Sequence, residues 1–197
     1  HNGIIENYLD LRDEIAANGM RTETETDTEV VAHLVNIERE RGKSPQEAVA
    51  AVLPRLKGAF SLAFLFEGEE DLMIGARKGS PLAVGHGEGE MYLGSDAIAL
   101  SPFTDRITYL DEGDWAVITR NSVKIFDHEN NEVERPVSRS SVTAALMDKG
   151  NYRHFMAKEI HEQPEVIGHT LSRYMDLSAK RADVPGIEAV DFANLNR

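Results

Sequence analysis

Residues 59–67 read AFSLAFLFE, and the fold turns on how this run is placed. It is apolar at nearly every position, so it matches neither the one-sided stripe of a surface helix nor the alternation of a strand open to water. A strand covered on both faces, between two layers, is the expectation.

Working outward from it, the period of the apolar residues differs on the two sides. Upstream it is helical. Ile5, Tyr8, Leu9, Leu11 and Ile15 predict a first helix over 5–17, stopped at Asn18-Gly19. The run TETETDTE gives way to Val30, Val31, Leu34, Val35 and Ile37, and Thr26 with Glu29 in capping-box register predicts a second helix from Asp27. Ser44, Pro45 and Glu47 mark the start of a third, with Val49, Val52, Leu53 and Leu56 on its apolar face and Gly58 past its end.

Downstream, DLMIGARKG, PLAVGHG, EMYLGSD, RITYL, DWAVITR and SVKIFD read as strands separated by Gly, Asp and Asn turn signals. The short spacing between them implies hairpins, hence a largely antiparallel sheet, and helices beside such strands make an α+β layered domain. Residues 135–150, with RPVSRSSV inside, read as a loop. Residues 151–176, NYRHFMAKEIHEQPEVIGHTLSRYMD, read as helical, with a break near Gln163-Pro164.

Composition narrows the function. The 197 residues are 41% hydrophobic, enough for one sizeable core or a core with an appended segment. Asp and Glu total 34 against 21 Lys and Arg, a formal net charge of -13, which repels phosphate backbones and anionic lipid and argues against nucleic acid and membrane as partners. No apolar run approaches the roughly 20 residues of a membrane span, and no signal-peptide pattern is present, so a cytoplasmic address is expected. The chain has no cysteine, which removes disulfides, thiolate metal sites and a cysteine nucleophile from its own repertoire.

Two features can carry chemistry. The chain opens HNGIIENY, where Asn2-Gly3 is either a tight-turn dipeptide or a polar cradle, an Asn side-chain amide beside a glycine N–H, of the kind an oxyanion hole requires. Asp27 falls in the first turn of the second helix, where the helix dipole favours an anion; it either serves the helix end or offers a counter-charge to a substrate ammonium. The histidines (His1, His33, His86, His128, His154, His161 and His169) are scattered without metal-ligand spacing, so no metal or cofactor is expected. GHGEG reads as a hairpin turn, GSDAIAL with Ser95 and Asp96 as a structural turn, EGEED and HENNEVE as solvated loops, and Trp115 as a core residue.

HNGIIENY, ETDTEVVAHLV, GSPLAVG, GSDAIAL and YRHFMAKEIHEQP, in this order, resemble the glutaminase domain and interdomain segment of the glucosamine-6-phosphate synthase family, the glutamine:fructose-6-phosphate aminotransferases. The resemblance spans Asn2 to about residue 167. It implies an N-terminal-nucleophile hydrolase fold, a four-layer αββα sandwich, here incomplete with its first strands missing. It assigns residues 1–134 to a partial glutaminase domain, 135–150 to a loop and 151–197 to a helical linker toward a sugar isomerase domain. Asn2 and Gly3 become the catalytic oxyanion-hole pair and Asp27 the residue that binds the α-amino group of glutamine. Ammonia from glutamine is passed to fructose 6-phosphate to give glucosamine 6-phosphate, and the full-length enzyme is expected to be a homodimer. The family's cysteine nucleophile and the isomerase domain are expected to lie outside this chain, which is then an internal piece, inactive alone. Two alternatives stand beside this: a non-catalytic glutamine-binding or regulatory module, and a related amidotransferase with a different acceptor.

Overall fold

In the computed structural model, which describes residues 1–140, 149–176 and 181–182, the change of period at Gly58 is a change of layer. A short strand, β1 (Asn2–Ile5), precedes three helices, α1 (Tyr8–Ala17), α2 (Asp27–Glu40) and α3 (Pro45–Val52). The strands β2 (Gly58–Leu65), β3 (Met73–Lys78), β4 (Ala83–His86) and β5 (Met91–Gly94) follow, then a one-turn helix α4 (Ala97–Leu100). The series ends with β6 (Arg106–Tyr109), β7 (Trp115–Ile118), β8 (Val123–Phe126), β9 (Glu132–Val133) and β10 (Ser138–Arg139).

These strands form two antiparallel sheets, one of six strands in the order β1-β2-β3-β7-β8-β9 and one of four in the order β10-β6-β4-β5. The layers follow from what each face buries. Val30, Leu34, Val49 and Val52 of the helices pack against Phe60, Leu62, Ile74 and Trp115 of the first sheet. Leu82, Val84, Ala116, Ile118 and Ile125 fill the space between the sheets, and Leu100 with Ile107 close the outer side of the second sheet under α4. The architecture is mixed α+β with antiparallel sheets, as the sequence implies.

The helix starts show how far local rules reach. At α3 the capping box is complete: Ser44 Oγ accepts from Glu47 N–H, and the Glu47 carboxylate accepts from Ser44 N–H. At α2 the helix begins at Asp27 as expected, but Thr26 makes no capping bond. The first helix begins at Tyr8 and not at Ile5, because Ile5 belongs to β1, paired with Gly58 and fully buried. Asn7 makes the corner between the two, donating to Arg55 O at 3.0 Å and accepting from Lys57 N–H at 2.9 Å. Ile5 joins the same core as Leu11 and Ile15, so it continues their spacing without sharing their helix.

The 59–67 run is covered throughout on one face only; on the other, Ser61 is buried and the residues beyond it are open. Phe60 and Leu62 are buried under the helices, whereas Ala63 is exposed and Leu65 is 79% exposed. The second sheet lies over β3, β7 and β8, where Leu93 and Leu82 press so closely on Gly75 that a Cβ there would lie 2.9 Å from Leu93. It stops short of most of β2.

Within the stretch expected as a loop, Ser138–Arg139 pairs with Ile107 and Arg106 of β6. Arg135 grips the Asp114 carboxylate with two bonds, Nε to Oδ2 at 2.8 Å and Nη2 to Oδ1 at 3.0 Å. Residues 141–148 of that loop lie outside the described residues.

The chain divides into two compact units, His1–Met147 and Asp148–Arg197. In the second, α5 (Phe155–Tyr174) runs through Pro164 without the expected break. Proline there removes one bond of the helical ladder, and enough residues flank it on both sides to carry the helix across. A two-residue ladder, β11 (Met175–Asp176) with β12 (Arg181–Ala182), follows, and the rest of the tail lies outside the described residues. No helix among the described residues is long and apolar enough to cross a membrane.

Asp114 is 1% exposed, so its removal takes the two-bond partner from Arg135, leaving it Asp111 at 3.1 Å, and strands the Asp111 N–H that Oδ2 also accepts. Asp114→Ala is expected to lower stability by about 3 kcal/mol, read from urea unfolding of the purified chain. An unchanged midpoint would show that the pair contributes nothing.

Candidate functional site

Asn2-Gly3 is not a turn. Both residues lie in β1, the edge strand of the six-stranded sheet, with Asn2 opposite Ser61 and Gly3 opposite Phe60. The backbone of Gly3 is at φ 115°, and a Cβ there would lie 2.1 Å from the Ala59 carbonyl oxygen. No side chain fits that approach, so glycine is required by the seating of β1 on β2 whatever else its N–H does.

The direction of that N–H follows from its neighbours. Glu6 N–H donates inward to Lys57 O at 2.9 Å, while Ile5 N–H donates outward to Asp27 Oδ2 at 2.7 Å. Strand donors alternate, so Gly3 N–H lies on the same side as Ile5 N–H, along the open edge of β1. Asn2, on the face toward the second sheet, lines a cavity of about 170 Å³ together with His1, Ser61, Leu93, Gly94 and Ser95.

Asp27 stands at this edge. Its Oδ2 is occupied by Ile5 N–H, and its Oδ1 lies 3.6 Å from His1 Nδ1. The carboxylate therefore makes no bond within its own helix end; it joins the strand to the helix and keeps one oxygen beyond hydrogen-bond distance of the ring nitrogen beside it. The three residues singled out from the sequence thus come together along β1.

The loop in front of α2 is fixed by a residue with a different role from the expected one. Glu29 does not pair with Thr26. Its carboxylate accepts from Glu23 N–H at 2.6 Å, Thr24 N–H at 2.7 Å and the Thr24 hydroxyl at 2.5 Å. The Thr24 hydroxyl first, then the Glu23 N–H, hold its pKa down to about 2 from the ordinary 4.5. Ser95, read as part of a structural turn, lines the Asn2 cavity, while Asp96 beside it caps α4 by accepting from Ala99 N–H. His1 and Thr28, at 2.8 Å, escaped sequence reasoning altogether, since no spacing rule joins residues on a strand end and a helix start. A separate cavity of about 460 Å³, on the helix side of the sheet by Phe60, Trp115 and Asn130, contains none of these residues.

Two facing antiparallel sheets with helices outside and a polar site on an edge strand define an N-terminal-nucleophile hydrolase type of amidotransferase fold. A solved structure of this type, the glutamine phosphoribosylpyrophosphate amidotransferase of B. subtilis complexed with ADP and GMP, matches 66% of this chain and 29% of its own at TM-score 0.56 and 26% identity. The chain belongs to the glutamine amidotransferase domain family, whose profile matches residues 1–102, the span that carries Asn2, Gly3 and Asp27. Its relatives include proteins named glutamine–fructose-6-phosphate aminotransferase (isomerizing): 62% identical over 197 residues in Brucella abortus, and 58% over 197 residues in Bradyrhizobium diazoefficiens. The match covers all of this chain and 32% of each relative's length.

Two measurements test the geometry. Gly3→Ala is expected to cost about 2 kcal/mol or more in unfolding experiments, through collision with the Ala59 carbonyl; full retention of stability would mean that β1 seats differently. Glu29, with its folded pKa lowered, contributes stability that is complete above its ordinary pKa and is lost as pH falls from about 4.5 toward about 2. In urea unfolding followed across that window, Glu29→Gln is expected to show a shallower loss than the parent chain; parallel curves would refute the clamp.

Proposed function

We propose that the edge of β1 is the glutamine site of an amidotransferase that releases ammonia from glutamine and delivers it to fructose 6-phosphate, giving glucosamine 6-phosphate. The observation that carries the reading is a spacing. Gly3 N–H and Ile5 N–H lie on one side of β1, two residues and hence about 7 Å apart. The second of them positions Asp27. In an extended glutamine, five bonds separate the α-nitrogen from the amide oxygen, about 6 Å. A glutamine laid along the edge can give its ammonium to Asp27 Oδ1 while its amide oxygen meets Gly3 N–H and the Asn2 side chain.

The chemistry then assigns roles. Attack of a thiolate on the amide carbon moves charge onto the oxygen, and neutral donors from Gly3 and Asn2 stabilise that oxyanion without reorganisation. Collapse with protonation of the nitrogen releases ammonia and leaves a glutamyl thioester, which water cleaves to glutamate. This chain has no cysteine, so the nucleophile belongs to a part of the protein outside it. The exposed face of β2 beside the Asn2 cavity is where such a segment would lie. Transfer to the sugar likewise requires a domain outside the chain, with residues 151–197 as the segment leading to it, in a cytoplasmic homodimer. The names of the relatives support this acceptor.

By itself the chain is expected to release no glutamate from glutamine, measured with a coupled assay; activity of the pure chain would overturn the division of the site. In the full-length protein, Asn2→Ala is expected to lower kcat for glutamine hydrolysis by about 10²-fold to 10³-fold. Asp27→Asn is expected to raise KM for glutamine with a smaller effect on kcat. The reverse pattern would exchange the two roles.

A further inference from the structure

The proposed glutamine reading leaves one built feature unused, the imidazole of His1. Its side chain is 5% exposed although it sits beside the open edge of β1, and its Nδ1 lies 2.8 Å from Thr28 Oγ1 and 3.6 Å from Asp27 Oδ1. Asp27 itself is 22% exposed and, among the described residues, is hydrogen-bonded through only one of its oxygens. A turn about the Cβ–Cγ bond moves both oxygens and is opposed here by that one hydrogen bond alone, because the torsional preference itself is broad. Something must stop Oδ1 from turning away from the edge.

We infer that His1 is the positioning residue for Asp27: its ring, locked to Thr28 at the start of α2, walls in Oδ1 and holds it open to an ammonium without occupying it. The inference rests on the glutamine reading and deepens it. At 3.6 Å the ring nitrogen is too far to satisfy Oδ1, so the oxygen keeps its acceptor capacity. The bond from ring to Thr28 fixes the ring from the helix side, and the chain fixes it from the strand side, one residue before Asn2. The consequence is selective: His1 governs recognition of the α-ammonium and leaves the amide end of the substrate alone.

That selectivity separates positioning from simple packing. The test compares glutamine with glutaramate, the same molecule without its α-amino group, in glutamine hydrolysis by the full-length protein. For His1→Leu, which keeps bulk and removes both ring nitrogens, KM for glutamine is expected to rise about tenfold with kcat within about twofold. The inhibition constant of glutaramate is expected to stay the same. Thr28→Val should move the same ratio in the same direction, and decides the matter if His1→Leu does not fold. Equal weakening of both ligands, or an unchanged KM for glutamine, would overturn the inference. Asp27→Asn serves as the reference. If it abolishes the discrimination and the His1 and Thr28 variants do not, the inference fails and the glutamine reading stands; if Asp27→Asn also leaves the discrimination intact, the reading itself fails.

Discussion

A single hydrogen bond, Ile5 N–H to Asp27 Oδ2 at 2.7 Å, connects the edge strand of the first sheet to the beginning of α2. Apart from the His1–Thr28 contact at 2.8 Å, the two are otherwise related by packing. With the Ile5–Asp27 bond, the outward donor of a strand and the first-turn carboxylate of a helix become one rigid unit, and the neighbouring outward donor, Gly3 N–H, is set at a fixed distance from that carboxylate. The bond also works electrostatically. Asp27 lies in the first turn of α2, where the helix dipole favours an anion, and its Oδ2 accepts from the strand N–H.

The layers exist to hold that unit still. Val30, Val31 and Leu34 are buried just behind Asp27, and Ile5 is buried just behind Gly3, all in one core with Phe60 and Leu62. Shifting β1 against α2 would mean repacking this core, which close-packed interiors resist. The Glu29 clamp fixes the loop 23–24 on the other side of the helix start. In contrast, the face of β1 and β2 toward the second sheet is thinly covered, with Ile4 65% and Leu65 79% exposed. Rigid behind and open in front is the arrangement a binding edge needs.

How much of this was legible in the sequence depends on the range of the interaction. The capping box of Ser44 and Glu47 was legible because both partners lie within one turn. The start of α2 at Asp27 was legible too, although its apparent box was not the real one: Glu29 stood at the right spacing from Thr26 but spends its oxygens on residues 23 and 24. The strand β1 was not legible from periodicity, because four residues carry too little pattern and their partner strand lies beyond three helices. Ile5 even mimicked a helical position. For the proposed site, Asn2, Gly3 and Asp27 were assigned through the resemblance of HNGIIENY and ETDTE to a family pattern. The residues taken alone left turn and cradle open. His1, Thr28, Ser61 and Ser95 join the site only through tertiary placement, and no local rule reaches them.

The glutamine proposed here lies along the edge of β1, ammonium at Asp27 and amide at Gly3. The most direct measurement is a crystal structure of the full-length protein with L-glutamate bound as product. The α-nitrogen is expected within hydrogen-bond distance of Asp27 Oδ1, and a side-chain carboxylate oxygen within the same distance of Gly3 N–H and the Asn2 amide. Glutamate bound elsewhere, for example in the cavity beside Trp115, or seated at the edge with its ammonium turned away from Asp27, would contradict this placement.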